Sequence, residues 1–390
     1  MQISYKKGVL MIIVAISIQN HNASICILEN EKILLLLQEE RVSRVKNDSS
    51  TPFKMLNCIS MYTKYIDYLC LANIREEEEK KLIYEFLDFN QIKVYNNIID
   101  YDNHHLYHAS SAFYGSGYEE SACLVIDGWG SSFNDIKNNL FSVETTSLYY
   151  ANYPNNFNPI YKNLWYSPDV YAANNDFIEY FEELFNYDVD LNSHLDIGVM
   201  YGTITEHLGY SCIGGQGKTM GLFSYGMPNK EIPNILCENS ILSNMNLFRA
   251  NRSLNTKLFP YLKDMNFQKK ADLAYALQKA LEKVFLERID YTIKKTKCCN
   301  IVFSGGCALN VVGNSKIKKN FPKIKFYVDP IANDACQSFG LAKFHYHRLT
   351  NNTNPSKLDN LYLGADYDIV KNKNAIKKIV NQYNMNITYQ

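Results

Sequence analysis

Between Asn266 and Thr296 apolar residues fall at Ala271, Leu273, Ala274, Leu277, Ala280, Leu281, Val284, Phe285 and Ile289, the spacing of one long amphipathic helix. Asn300 to Phe303 follows as a short apolar strand, and Ser304-Gly305-Gly306 as a turn. Strand, glycine turn and helix in succession present backbone N–H groups to a phosphate. The order of elements also commits this part of the chain to α/β structure.

The front of the chain reads the same way. Val9 to Ile18, Ala23 to Leu28 and Lys32 to Gln38 are three apolar runs, the last two separated by Glu29-Asn30-Glu31, and predict an antiparallel meander. Ser49 to Ser60 and Glu76 to Leu87 are helical in pattern, whereas Tyr65 to Leu71 and Gln91 to Tyr95 are strand-like. Lys6 and Lys7 before the run Gly8 to Ile18 imitate a signal peptide, but no small-residue cleavage site follows and the hairpin continues. We read the run as a core strand, with Met11 an alternative start; at about eleven residues it is too short to span a bilayer. Asn134 to Asn192 is rich in Asn, Tyr and Pro, with an acidic stretch from Phe177 to Asp190, and predicts irregular structure with short helices. It would either shape an acceptor pocket or form a variable surface insertion.

With 390 residues the chain has material for two lobes, and 40 basic against 40 acidic residues leave no broad field for nucleic acid or membrane. Ten cysteines without a Cys-x-x-Cys pair exclude a zinc ribbon and suit reduced thiols in a cytoplasmic protein.

Several motifs carry chemistry. His104 and His108 stand four apart at the head of a predicted helix, so one turn stacks both imidazoles on one face as a candidate metal clip. Leu124-Val125-Ile126-Asp127-Gly128-Trp129-Gly130 reads as a buried strand delivering a carboxylate to a tight turn. The cluster Glu39-Glu40-Arg41-Val42-Ser43-Arg44-Val45-Lys46 is either a solvated helix start or a phosphate- or substrate-facing rim. Gly214-Gly215-Gln216-Gly217-Lys218-Thr219 misses a P-loop because Cys212 stands where glycine is required, although Lys218 among glycines, followed by Met220-Gly221-Leu222, still allows close approach to a nucleotide. Gly305-Gly306-Cys307-Ala308-Leu309-Asn310 suits a ligand passing near the main chain, with Asn310 in reach. Asp334, ahead of a predicted terminal helix Ala335 to Tyr346, is either a capping acid or a further metal ligand.

Taken together, these motifs resemble the N-terminal, Kae1-like domain of the O-carbamoyltransferases of antibiotic and nodulation-factor biosynthesis. His21-Asn22-Ala23-Ser24 resembles the family's His-Asp-Ala-Ser run, and Glu39-Glu40-Arg41 through Arg44 and Lys46 its Glu-Glu-Arg-x-x-Arg-x-Lys segment. His104-His105-Leu106-Tyr107-His108-Ala109 resembles its double-histidine motif. Val125 to Gly128, Gly217 to Leu222, Gly305 to Asn310 and Asn333-Asp334 continue in order. Asn22 replaces a usual Asp and Gln216 a common Glu.

The resemblance implies an actin-like, Hsp70-like (ASKHA, Kae1-like) two-lobed α/β fold with an inter-lobe cleft over residues 9–350. It implies one metal ion, iron in that family, on His104, His108, Asp127 and Asp334. Carbamoyl-adenylate, made from ATP, would be lined by Asp127, Gly198, Lys218, Gly221, Gly306 and Asn310. The carbamoyl group would pass to a hydroxyl of a sugar-like or natural-product acceptor, with His105 or His21 as the base. Family members continue into a YrdC-like domain that makes the donor; Leu361-Tyr362-Leu363-Gly364 resembles the junction. The expectation is that residues 355–390 begin an incomplete C-terminal domain and that a separate YrdC-like protein is the partner. A nucleotide-binding Kae1-like pseudoenzyme or split-enzyme subunit is the alternative reading. A tRNA threonylcarbamoyl transferase is disfavoured by the Glu-Glu-Arg segment and by the lack of basic bias.

Overall fold

The computed structural model describes residues 10–18, 21–48, 52–74, 77–100, 103–135, 140–166, 187–192, 196–232 and 265–365. The beginning of the chain, most of the acidic stretch 177–190, Cys237 and residues 366–390 lie outside them.

Two sheets organise the molecule. The first joins β1 (Ile12–Ser17), β2 (Ser24–Glu29), β3 (Lys32–Gln38), β4 (Tyr65–Ala72) and β5 (Lys93–Asp100) in the order β3-β2-β1-β4-β5. Neighbours β1 to β3 are antiparallel, while β4 and β5 continue parallel to β1. The second joins β6 (Glu120–Ile126), β7 (Ser132–Asp135), β8 (Leu140–Asn152), β9 (Asn156–Tyr166), β10 (Asp188–Asn192), β11 (Asn300–Ser304) and β12 (Lys325–Val328). Its order is β10-β9-β8-β6-β11-β12, with β7 on β8. The core of this sheet, β9-β8-β6-β11-β12, repeats the order and polarity of the first: antiparallel on one side of the central strand, parallel on the other.

Ten α-helices among the described residues accompany the sheets: α1 (Glu39–Ser43), α2 (Phe53–Asn57), α3 (Ile59–Tyr62), α4 (Glu77–Phe89), α5 (His104–Ser116), α6 (Ile197–His207), α7 (Gln216–Leu222), α8 (Phe267–Thr296), α9 (Val311–Asn320) and α10 (Gln337–Thr350). The central strands are apolar throughout because both of their faces are covered. In β1, Ile12, Val14 and Ile16 pack with Met55, Leu56 and Ile83, whereas Ile13 and Ala15 face Phe339 and Ala342 of α10. In β6, Ala122, Leu124 and Ile126 face α6 and α8, while Cys123 and Val125 face Ala109, Ala112 and Phe113 of α5. Helices α5 and α10 pack on each other between the two sheets. That places the start of α5 where the carboxyl ends of β1, β6 and β11 converge, the usual ligand-binding edge of parallel strands.

The long helix forms as its periodicity predicts. The Asn266 side chain accepts from Lys269 N at 2.9 Å, and Lys297, in the left-handed region at φ 55°, ends it. Leu273, Leu277, Leu281, Phe285 and Ile289 are buried along its stripe, each contributing about 1.5–3 kcal/mol. Ser49 to Ser60 is helical as its pattern predicts, in the form of the short pair α2 and α3 meeting at Cys58, with residues 49–51 outside the described set. Sequence-based expectations fail in two places. Within Asn134 to Asn192 the described residues 140–166 form the paired strands β8 and β9 instead of irregular structure, because Val143, Thr145, Thr146 and Tyr149 suit a strand buried on both faces despite the Asn-rich composition; 136–139 and 167–186 lie outside the described residues. The glycine loop 214–219 is in part helical, since Gly217, Lys218 and Gly221 lie within α7.

Candidate metal centre

The four residues His104, His108, Asp127 and Asp334 are brought together from α5, the end of β6 and the turn before α10. One donor atom from each lies within 4.8 Å of all the others, and all four residues are buried. His104 Nε2 and His108 Nε2 are 3.2 Å apart. Asp127 Oδ2 lies 3.3 Å from both, and Asp334 Oδ1 lies 3.5 Å from His104 and 3.3 Å from His108. Helical geometry stacks the two rings one turn apart, while the aspartates arrive from positions 23 and 226 residues away from their histidine partners.

The surroundings fix which atoms face inward. Asp127 Oδ1 accepts from Gly128 N at 2.7 Å and Gly306 N at 3.1 Å, leaving Oδ2 for the centre. Ser304 Oγ donates to Asp329 Oδ2 at 3.2 Å, so it is placed to accept from His108 Nδ1, 3.3 Å away. That places a proton on Nδ1 and turns Nε2 inward, where it donates to Asp127 when protonated and offers its lone pair to a metal when that proton is displaced. Cys336 Sγ lies 3.1 Å from the same Nδ1, and the Gln337 amide donates to the His104 carbonyl at 3.1 Å. Burial opposes charge on Asp127, yet hydrogen bonds from His104 and His108 hold its carboxyl well below the ordinary range. The same balance holds Asp334 at about 2. Two imidazole nitrogens and two carboxylate oxygens converging in one buried place are a donor set that fits a divalent transition metal.

The glycines around this edge are required by close approach. Gly305 has φ 90°, and a Cβ there would stand 2.3 Å from the Ile126 carbonyl oxygen. At Gly198, in the first turn of α6, a Cβ would stand 2.4 Å from the Asp127 carbonyl oxygen. Gly198 therefore serves the packing of α6 against the Asp127 turn. Asn310 has its amide committed: Oδ1 accepts from Gly313 N at 2.9 Å and from Gln278 Nε2 at 3.0 Å, and Nδ2 donates to Gln278 Oε1 at 2.9 Å. Lys218 is exposed, with Nζ 5.6 Å from the Tyr210 ring centre, and a Cβ on Gly221 would meet nothing within 4 Å.

The two histidines singled out as bases have different settings. His21, at the end of the β1–β2 turn, keeps 29% of its side chain exposed and has Nδ1 3.6 Å from Asp334 Oδ2. His105 is fully buried; its Nδ1 lies 2.8 Å from Ser147 Oγ, and burial lowers its pKa to about 3. The charge cluster is mixed in role. Glu39 is buried and accepts from Met55 N at 2.7 Å, Glu40 pairs with Arg41 at 3.3 Å, and Lys46 reaches the Gly214 carbonyl at 3.4 Å.

Sequence reading missed Glu144 and Lys162. Both are buried and paired beneath the start of α5. Their sequence signal is faint: one Glu and one Lys in a Thr-, Ser- and Asn-rich stretch, with the partners on different strands.

No described helix is long and apolar enough to cross a membrane. The uncharacterized protein MJ1051 of Methanocaldococcus jannaschii is 27% identical over 380 residues, which cover 93% of this chain and 62% of that one. Nodulation protein NolNO of Sinorhizobium fredii is 23% identical over 377 residues, 89% of this chain and 49% of that one. The chain thus spans about half to three-fifths of the length of these relatives. The crystal structure of T. kodakarensis HypF superposes with a TM-score of 0.51 at 13% identity, covering 88% of this chain and 49% of that one. Full-length HypF in its phosphate- and nucleotide-bound form gives 0.50 at 14%, covering 87% and 56%. This likeness, with the duplicated sheet order, shows the actin-like two-lobed fold. The sequence model of the carbamoyltransferase N-terminus covers residues 70–343, a span containing His104, His108, Asp127 and Asp334. The chain belongs to the carbamoyltransferase N-terminus family.

Proposed function

We propose that this chain transfers a carbamoyl group from carbamoyl-adenylate to a hydroxyl of a sugar-like acceptor at the edge formed by His21, the α5 histidines, Asp127 and the Gly305-Gly306 turn. The observation that carries this reading is the convergence of His104, His108, Asp127 and Asp334 beside a glycine turn whose backbone approaches the same carboxylate. A divalent cation, with iron the metal we favour, would be held by those four residues and would supply Lewis acidity toward a phosphate or carbonyl oxygen.

The chain's own residues supply the rest. Gly221 and Lys218 leave an open, cationic approach for the adenylate from the α7 side. The acceptor oxygen forms a bond to the carbamoyl carbon, the bond from that carbon to the adenylate phosphate oxygen breaks, and adenylate leaves. The hydroxyl proton needs an acceptor in contact with the acceptor substrate. Of the two candidates, His21 keeps part of its ring exposed beside Asp334, whereas His105 is fully buried. His105 then supports the fold of the site and touches no substrate. A separate YrdC-like protein would provide the donor.

The test supplies chemically prepared carbamoyl-adenylate and a panel of amino- and deoxysugar acceptors to the purified protein, with and without a YrdC-like protein. Mass spectrometry should show an acceptor heavier by one carbamoyl group together with released adenylate. Nucleotide binding without any carbamoylated product under all these conditions would overturn the transferase reading in favour of a nucleotide-binding pseudoenzyme.

A further inference from the structure

The first turn of α5 presents unpaired backbone N–H groups, as every helix start does, and here Asn103 at the cap makes no side-chain bond to them. The donors are met from another element. His104 N donates to Ser131 Oγ at 3.0 Å, and His105 N donates to Glu144 Oε1 at 3.1 Å. Glu144 Oε1 also accepts from Ser131 N at 3.1 Å, so a single oxygen ties the helix start to the residue that holds His104. Its other oxygen takes Lys162 Nζ in a short ion pair and the Ser147 hydroxyl at 3.3 Å. Ser147 in turn lies 2.8 Å from His105 Nδ1.

Glu144 is a fully buried carboxylate, and its place in the sheet is irregular. The β8–β9 register shifts between Glu144 and Thr146, a bulge that aims side chains off the regular alternation. The main chain is locked on both sides, because Gly130 N donates to the Glu144 carbonyl at 2.9 Å and Glu144 N to that of Ser131 at 3.0 Å. A buried ion pair contributes little net stability compared with apolar residues of similar volume. Its direction here, toward the N–H groups of His105 and Ser131 and away from the apolar core, gives it another purpose.

We infer that Glu144, braced by Lys162 and acting through Ser131, is a positioning residue that sets the orientation of His104 in the metal centre. This inference rests on the metal-site reading above. The carboxylate acts as a helix cap in trans: it neutralises the partial positive charge at the α5 start and fixes the first turn, on which His104 projects toward Asp127 and Asp334.

The experiment is a titration of the full chain with Co²⁺, read by its visible ligand-field bands and by competition with a chelator, alongside circular dichroism and thermal unfolding. Glu144→Ala/Lys162→Met removes both charges together and leaves no unpaired buried ion. It should bind Co²⁺ about 10–100-fold more weakly with the secondary structure retained. Glu144→Gln/Lys162→Met, which keeps an oxygen acceptor for the two N–H groups, should recover most of that loss. Ser131→Ala, a small change that removes only the acceptor for His104 N, should weaken Co²⁺ several-fold and serves as the deciding variant if Glu144→Ala/Lys162→Met fails to fold. Wild-type Co²⁺ affinity in folded Glu144→Ala/Lys162→Met, or in Ser131→Ala, overturns the inference while leaving the metal site in place. If the unaltered protein binds neither Co²⁺ nor Fe²⁺, the metal-site reading itself falls and takes the inference with it.

Discussion

His104 Nε2 and His108 Nε2 face each other at 3.2 Å, and the same oxygen of Asp127 lies 3.3 Å from each. Residues four apart share one helix face, which by itself neither buries their rings nor gives them a common partner. Here both rings are buried and directed at one point.

Removing either ring should therefore empty the site. His104→Ala and His108→Ala are each expected to lower Co²⁺ or Fe²⁺ affinity by more than about 100-fold, beyond the loss typical of a supporting residue. Metal analysis after equilibrium dialysis checks this. Stoichiometric metal in either variant would contradict the assignment.

His21 should separate binding from chemistry. With carbamoyl-adenylate supplied, His21→Ala is expected to lower kcat by about 10²–10⁴-fold while KM for the adenylate changes little. A variant that keeps wild-type kcat would remove His21 from the role of base.

Gly198→Ala brings a methyl group to 2.4 Å from the Asp127 carbonyl oxygen, an atom held in main chain that cannot swing aside. Overpacking of this kind costs roughly 1–3 kcal/mol. Urea unfolding should show a lower midpoint, and metal affinity should fall because the Asp127 turn is displaced.

Asn310→Ala tests structure against ligand contact. The Asn310 amide caps α9 and pairs with buried Gln278, so its loss removes a cap worth about 1 kcal/mol and strands a buried amide at about 1–3 kcal/mol. Lower thermal stability with little change in adenylate affinity is the expected pattern. The reverse pattern would assign Asn310 to the nucleotide.

Acid should loosen the packing of α10 through His345. This ring is buried near Tyr107 and Phe344, neither nitrogen has a partner among the described residues, and burial lowers its pKa to about 4. A histidine with a depressed folded pKa contributes stability above its unfolded value of about 6.5, and that contribution is lost as pH falls toward 4, on the order of 3 kcal/mol in all. His345→Phe should flatten the decline in unfolding free energy between pH 6.5 and 4. An unchanged slope would mean that other groups carry it.

Much of this protein is legible one element at a time. Strands β1, β6 and β11 are covered on both faces and so appear as unbroken apolar runs, and α8 carries its buried stripe in the spacing of its residues. The pairing of His104 with His108 follows from 3.6 residues per turn. Composition misled the reading of β8 and β9, because Asn158, Pro159 and Asn163 lie inside β9 while the buried Val143, Leu148, Tyr161 and Leu164 carry the two strands.

The sequence by itself determined the α/β alternation, the clip of two histidines and the family to which the motifs point. Tertiary structure alone brings the donor atoms of Asp127 and Asp334, to which the family resemblance pointed, within reach of both rings, because separation along the chain bears no relation to distance once two sheets are stacked across α5 and α10. It also decided that Asn310 is taken by Gln278, that Gly198 answers a backbone contact, and that Glu144 and Lys162 lie under the helix start. Those roles depend on which donors are left unpaired after the chain folds, and a buried polar group acquires its function from that balance.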